Sequence, residues 1–358
     1  MIVQSVNLGR MTLAYFRLIA AMLVGFFAQV QATDLVTVTR LGDGPIIHPE
    51  LDPSIGLNIQ GPSVIRVPDW VEDPLGKYYL YFADHKGHYI RLAYSDVVAG
   101  PWKIHVPGTL SIENSYFLTE QPAVSKEQRL EYEAYFASTG EHFPHDRMID
   151  LTVPHIASPD VHIDEVNQRI VMYYHGLDKL ASQVSRVAVS KDGISFAARP
   201  EILGRTYWRA FDWQGYRYGL AMPGQFYRSQ NPLGNFVSGP LLFNPKMRHS
   251  AVMVRGDRLW VFWTQAGDAP EHIKLSTVQL TRDWKNWRQV DHGEVLRPEK
   301  SWEGAKAPLV PSMRSTAYGT VNELRDPALL SDDGRIYLFY ATAGESGIAV
   351  AELTLGSL

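Results

Sequence analysis

Residues 322 to 352 read NELRDPALLSDDGRIYLFYATAGESGIAVAE. Arg325-Asp326-Pro327 leads into a short apolar strand, Ala328 to Leu330, and Asp332-Asp333-Gly334 supplies a turn. A strand with aromatic residues follows from Ile336 to Tyr340, then a Gly/Glu/Ser loop and a third strand from Ile348 to Leu353. Strand, turn, strand, loop, strand is an antiparallel meander. Three such strands bury too little to stand alone, and repetition is the usual remedy.

Four further copies precede it. Residues 61 to 102 carry GPSVIRV, a long turn and KYYLYFADHKGHYIRLAYSDVVAGPW, and residues 157 to 196 carry ASPDVHIDEVNQRIVMYYHGL and SRVAVSKDGISF. Two more begin near Trp208 and His249. In four of the five units the third strand ends in a turn and then an aromatic residue, at Trp102, Phe196, Phe236 and Trp287, which announces a fourth strand. The fifth unit has no room for one. Leu35 to Thr39 (LVTVT) has the β-branched alternation needed to supply it from the other end of the chain. The expected fold is therefore all-β: a five-bladed β-propeller closed by its N- and C-terminal strands. The competing arrangement is a β-sandwich built from the same hairpins.

The 358 residues are 45% hydrophobic and 20% charged, enough for one large domain, and the formal net charge is -4. With no basic run, nucleic acid is not an expected partner. Residues 1 to 32 stand apart: Arg10 and Arg17 precede the apolar run Leu18 to Phe27, and Val30-Gln31-Ala32 offers small residues for cleavage. This pattern is a secretory signal peptide, with an uncleaved anchor as the alternative. The expectation is a periplasmic or secreted propeller over residues 33 to 358, without stable membrane association once the signal is removed. The absence of cysteine excludes disulfides and a catalytic thiol. A long insert at about 103–154 carries Glu113, Glu120, His142, His145, Asp146 and Asp150 and reads as a lid or pocket wall, with a helix near Lys126 to Tyr135.

Because antiparallel strands alternate direction, the start of each first strand shares a face with the loop between strands two and three. We call this the upper face. It collects His155, Asp160, Trp208, Arg209, Arg248, His249, Glu323, Arg325 and Asp326 from strand starts, and His85, Lys86, His175 and Glu345 from the loops. Acids, histidines and arginines converging on a concave mouth are the material of a polar-ligand site. Trp208, Tyr173, Tyr174 and Trp302 lie nearby in sequence and suit the CH faces of sugar rings.

On Arg325-Asp326-Pro327, the hairpins Tyr78 to Phe82 and Ile336 to Tyr340, and the stretch Ile90 to Asp96 followed by Gly100-Pro101-Trp102, residues 35 to 358 resemble the five-bladed propeller glycosidases of the arabinanase, levansucrase, invertase and neoagarobiose-hydrolase type. The resemblance implies an exo-acting glycoside hydrolase that cleaves an oligosaccharide or polysaccharide by acid-base catalysis at the propeller axis. Those families place an acid, often followed by Pro, at the start of blade one. Here Asn58-Ile-Gln-Gly61-Pro62-Ser63 holds none, which keeps a non-catalytic glycan-binding propeller as the rival.

Hydrolysis of a glycoside needs one group to protonate the leaving oxygen and another to activate water or attack carbon. Asp326, Asp160, Glu323 and His249 are the candidates for these roles. His85, Lys86, His155, Arg209, Arg248, Arg325 and Trp208 are the candidates for substrate binding. For Asp326 the competing role is a strand cap that binds backbone amides. No spacing of ligands on one continuous motif points to a metal, although His155, His249 and neighbouring carboxylates could hold a calcium ion at the axis.

Overall fold

The computed structural model describes residues 31–140, 143 and 145–356. Residues 1 to 30 of the expected signal peptide, and His142 of the insert, lie outside the described residues. Among the described residues no helix is long and apolar enough to cross a membrane.

Five four-stranded antiparallel sheets form a ring. Blade one holds β2 (Gln60–Arg66), β3 (Tyr78–Ala83), β4 (Tyr89–Ser95) and β5 (Lys103–Ser111), after the closing strand β1 (Val36–Arg40). Blade two holds β6 (Ile156–Asp164), β7 (Arg169–Lys179), β8 (Ser182–Ser190) and β9 (Ala197–Ala198). Blade three holds β10 (Arg209–Trp213), β11 (Tyr216–Ala221), β12 (Gln225–Ser229) and β13 (Val237–Leu241). Blade four holds β14 (Met247–Arg255), β15 (Arg258–Gln265), β16 (Ile273–Gln279) and β17 (Gln289–Leu296). Blade five holds β18 (Arg325–Asp332), β19 (Arg335–Thr342) and β20 (Gly347–Leu355), completed by β1.

The closing pair runs from Val36↔Leu355 to Arg40↔Ala351, so the N-terminal strand seals the ring as expected. Arg40 also reaches Glu303, a fully buried acid, at 2.8 Å. The aromatic residues that end the third strands sit directly before the outer strands: Trp102 before β5, Phe196 before β9 and Phe236 before β13. Five apolar clusters fill the seams between neighbouring blades, for example Tyr79, Tyr81, Met172 and Phe196 between blades one and two.

The first strands line the axis and are stitched to each other by side chains. The Ser63 hydroxyl accepts from the Val161 amide (2.9 Å), Asp160 accepts from the Ala210 amide (2.7 Å), and Arg209 Nε donates to the Ser250 carbonyl (2.7 Å). Four of the five first strands carry a bulge where they start. In three of them the bulge places Gly61, Ser158 and Asp326 at φ of 64°, 48° and 47°, each followed by Pro. Bulged, left-handed backbone is strained for residues other than glycine and clusters where side chains must be aimed at a site.

The insert is shorter than the sequence implied, because residues 103–111 form the outer strand of blade one. From Ile112 onward it crosses the upper face and contains α1 (Lys126–Thr139) and α2 (Met148–Thr152). The first helix opens with a Ser125/Gln128 capping box and ends on Gly140 at φ 68°, as such signals direct.

Candidate active site

On the upper face, beneath α2, lies a cavity of about 170 Å³ whose walls include His85, Lys86, Asp150, Tyr207, Arg248 and Ser315. His85 and Lys86 stand on the β3–β4 loop and Asp150 on α2. The lid is held down by Asp150, whose carboxylate accepts from Ser315 Oγ (2.9 and 3.1 Å) and pairs with Arg147 Nε at 3.2 Å.

Behind this wall the ionised groups are paired. His85 Nδ1 lies 2.9 Å from Glu345 Oε1, and the same carboxylate accepts from Asn58 Nδ2 and from Arg325 Nη1, both at 2.7 Å. Burial pushes the Glu345 carboxyl up, but His85, Arg325 and Asn58 outweigh it and hold it well below the usual range. Arg325 Nη2 contacts Glu323 at 2.5 Å, and Arg248 Nη1 contacts Glu271 at 3.1 Å. Burial, helped by Glu271, still keeps Glu323 above the ordinary range against the pull of Arg325. Arg248 and Arg325 both donate to the Ser315 carbonyl, tying the loop after β17 to the ring.

Tyr207 is the floor of the cavity. Its hydroxyl is 3.4 Å from His85 Nε2, and its ring sits between those of His175 (4.4 Å) and His249 (4.7 Å). Beyond it, His249 and Asp326 do not line the cavity. Asp326 is fully buried, its carboxyl oxygens form no hydrogen bond, and burial followed by Glu345 pushes its pKa up to about 7. His249 Nδ1 lies 3.2 Å from Asp326 Oδ1 while accepting from the Asp326 amide at 3.3 Å. Burial holds His249 well below the usual histidine range, so the ring is neutral. An unprotonated Nδ1 favours the acid form of Asp326, in the same direction as burial.

The remaining residues singled out from the sequence sit elsewhere. Asp160 faces a second cavity lower on the axis, accepts from the Ala210 amide, and contacts His162 Nε2 at 2.7 Å. Burial raises its pKa, yet His162 and Arg209 bring it below the usual value, which marks an ionised staple between blades two and three. Arg209 spans three blades by donating to Ser250 and Pro159 carbonyls. His155 is buried, with Nδ1 against the Val153 carbonyl at 2.7 Å, and burial drops its pKa to about 3. Trp208 lies in the seam with Tyr173, Tyr227 and Phe236, and Tyr173 and Tyr174 are equally buried. The expectation that these three rings stack on sugar is therefore corrected: the segment entering β10 puts Trp208 into the core and leaves its neighbour Tyr207, at φ 56°, facing the axis.

Asp150, Glu345 and Tyr207 complete the site. Asp150 and Glu345 were visible as acids on upper-face segments, whereas Tyr207 had no signal beyond adjacency to Trp208. Among the described residues, no group of three or more His, Asp or Glu side chains is placed to hold a metal ion. Blade one has a glycine, Gly61, at the bulge position that Asp326 occupies in blade five. A Cβ on Gly61 would stand 2.9 Å from Ser158 Cα, so a side chain there would force the neighbouring backbone to move.

Similar architecture occurs in solved glycoside hydrolases. A structure from the GH130 family, described as containing hydrolases that target beta-1,2 mannosidic linkages in Candida mannan, superposes with a TM-score of 0.55 at 11% identity, covering 89% of this chain and 94% of that one. The GH43_1 enzyme from Xanthomonas citri complexed with xylose gives 0.52 at 11% identity, covering 88% and 90%. At such identities the likeness establishes the shared five-bladed fold. No protein-family model matches the sequence. Uncharacterized protein R118 of Acanthamoeba polyphaga mimivirus is 34% identical over 324 residues, which is 83% of this chain and 84% of that protein. Identity at that level over that length places both proteins on one line of descent: this chain belongs to the same family as mimiviral protein R118.

Proposed function

We propose that the protein is a carbohydrate-active enzyme, an exo-acting glycoside hydrolase that takes the end of an oligosaccharide into the cavity under the lid. The observation that carries this reading is that Asp150 from the lid and the Glu345-held His85 line one small covered space. A volume of about 170 Å³ admits roughly one sugar residue, well under the ~300 Å³ at which pockets for larger ligands begin. In this reading His85, held through Nδ1 by Glu345, gives a proton from Nε2 to the leaving oxygen. The Asp150 carboxylate takes the proton of the attacking water, the division of labour that acid-base hydrolysis requires. Asp326 and His249, screened by Tyr207, set the floor and do not touch substrate. The two-arginine start and short apolar run of residues 1 to 32 support export to the periplasm or medium.

The test is a turnover screen of purified protein against plant and algal oligosaccharides, followed by Asp150→Asn and His85→Asn on the best substrate. Each variant should lose about a hundredfold or more in turnover with its melting temperature retained. Full activity in both would end the assignment. The second reading, a propeller that binds glycan without cleaving it, is favoured by the glycine, Gly61, at the start of blade one. It predicts saturable binding of the same oligosaccharides with no product formed.

A further inference from the structure

A further cleft opens on the face opposite the lid, at the seam of blades three and four. It encloses about 570 Å³, more than the space under the lid, and is walled by Trp213, Gln214, Tyr216, Tyr218, Arg228 and Arg282. Trp213 and Tyr216 flank the β10–β11 turn, Arg228 stands near the end of β12, and Arg282 follows β16. Turns between first and second strands lie away from the upper face, so this cleft shares no wall with the cavity of His85 and Asp150.

The wall carries two guanidinium groups and no acid. Arg228 is clamped between the rings of Tyr216 (4.3 Å) and Trp284 (4.5 Å), beside the Tyr218 hydroxyl, while Arg282 is exposed. The acids nearest in sequence face other groups: Asp212 accepts from Arg217 at 2.6 and 2.7 Å, and Asp283 accepts from Asn286 Nδ2 at 2.6 Å. Among the described residues neither Arg228 nor Arg282 has an acidic partner. Stacking covers the two faces of a guanidinium and leaves its N–H edge, the part that holds an oxyanion by a two-pronged bond. The clamp also fixes that edge before a ligand arrives, so less side-chain freedom is lost on binding. Trp213, half-buried beside it, offers an aromatic surface to a sugar ring.

We infer that this cleft is an accessory binding site for an acidic glycan, with a sugar ring against Trp213 and its carboxylate or sulfate held by Arg228 and Arg282. The glycan class rests on the reading of the protein as carbohydrate-active, and the acid group on the two arginines. The site anchors the chain and takes no part in cleavage.

Binding is measured by calorimetry on the full-length protein with an oligogalacturonate, a sulfated galactan oligosaccharide, a neutral galactan oligosaccharide of the same length, ATP and inorganic phosphate. At least one acidic oligosaccharide should bind about tenfold or more tighter than the neutral one, the scale on which a single charge-assisted contact discriminates. The tighter of the two identifies the acid group as carboxylate or sulfate. Arg228→Gln and Arg282→Gln should each remove most of the preference, whereas Asp150→Asn, on the other face, should keep it. Turnover of a neutral substrate by Arg282→Gln should match that of the native protein. Melting curves check folding, and if Arg228→Gln fails to fold, the exposed Arg282 still decides. Equal affinity for acidic and neutral glycans, no acidic glycan binding, or an unchanged preference in Arg282→Gln would overturn the inference. A preference lost in Asp150→Asn would overturn it too, by moving the site to the upper face, as would ATP or phosphate that binds more tightly than either acidic glycan and displaces it. Turnover of a neutral oligosaccharide without acidic-glycan binding sinks this inference and spares the hydrolase reading; acidic-glycan binding that needs Arg282, with no oligosaccharide turned over, does the reverse.

Discussion

Above the ring of Tyr207, the axis of this propeller is walled by Lys86, His85, Asp150 and Arg248, whereas below it the same first strands enclose a larger cavity, about 270 Å³, walled chiefly by Val64, Ile65, Val161, Ala251, Val252 and Leu330. The larger space is not the better site. Its few polar groups are consumed in holding blades together, as Asp160 is by the Ala210 amide and His162. The smaller one keeps polar groups facing its space: the Lys86 ammonium, 4.0 Å from Asp150, and His85 Nε2, 3.4 Å from the Tyr207 hydroxyl. Alternation along the strands fills the lower axis with apolar residues, while loops and the lid, free of that constraint, fill the upper axis with charge.

The sharpest way to break this contrast is at the boundary. Asp326 has its carboxyl raised from 3.8 to about 7, so the folded state favours its acid form. That contribution to stability is fully present below pH 3.8 and is lost as pH rises through about 7. Asp326→Asn, which keeps the neutral shape, should therefore gain on the order of 4 kcal/mol over the native protein at pH 8 and little at pH 4. Denaturant melts at both pH values decide it, and equal stability at pH 8 would mean that the group is solvated and open to the cavity above.

Below the boundary, Leu330→Ala should cost about 2–3 kcal/mol while turnover per folded molecule stays unchanged, since only packing is removed. A fall in turnover would show that the lower cavity takes part in function. Asp160→Asn should have the same character with a smaller cost, about 1–2 kcal/mol, because the amide keeps an oxygen for Ala210 and loses the charge facing His162. The last effect is a slope. His155 is held near 3 in the folded state against 6.5 when free, so its contribution is present above pH 6.5 and declines as pH falls toward 3. With Asp326 acting in the other direction over nearly the same range, the two largely offset each other, and a melting profile from pH 4 to 9 should stay nearly level up to about pH 6.5 and fall slightly above it. A maximum at pH 8 or above would contradict the Asp326 assignment.

The fold was readable because hairpins repeat and their periods are short. Asp332-Asp333-Gly334 forms the turn it signals, with Asp333 and Gly334 both at positive φ, and the orphan strand near Leu35 pairs where a fourth strand was missing. The site was readable only by face. Strand direction placed His85, Arg248, His249 and Asp326 on the upper half, but depth depends on bulges. Ser158, not Asp160, occupies the place in β6 that Asp326 has in β18, so of two acids that look equivalent one lines the lower cavity and the other is buried beneath Tyr207. Whether Tyr207 or Trp208 faces the axis turns on one backbone angle that local sequence does not fix. Asp150 is aimed by a bond to Ser315, 165 residues away, and no pattern within the insert could announce that.

The joining of β1 to β20 has a consequence for how the protein is made. Strand β1 is synthesised some three hundred residues before its partner, and until Gly347 to Leu355 arrive, blade five lacks two of its four paired strands. An unfinished or clipped chain therefore presents two bare hydrogen-bonding edges at once, an invitation to aggregate or be degraded. The ring thus checks its own length: a molecule that stays soluble is one whose last strand has been delivered, with Glu345, three residues from the end of β19, already in place to orient His85.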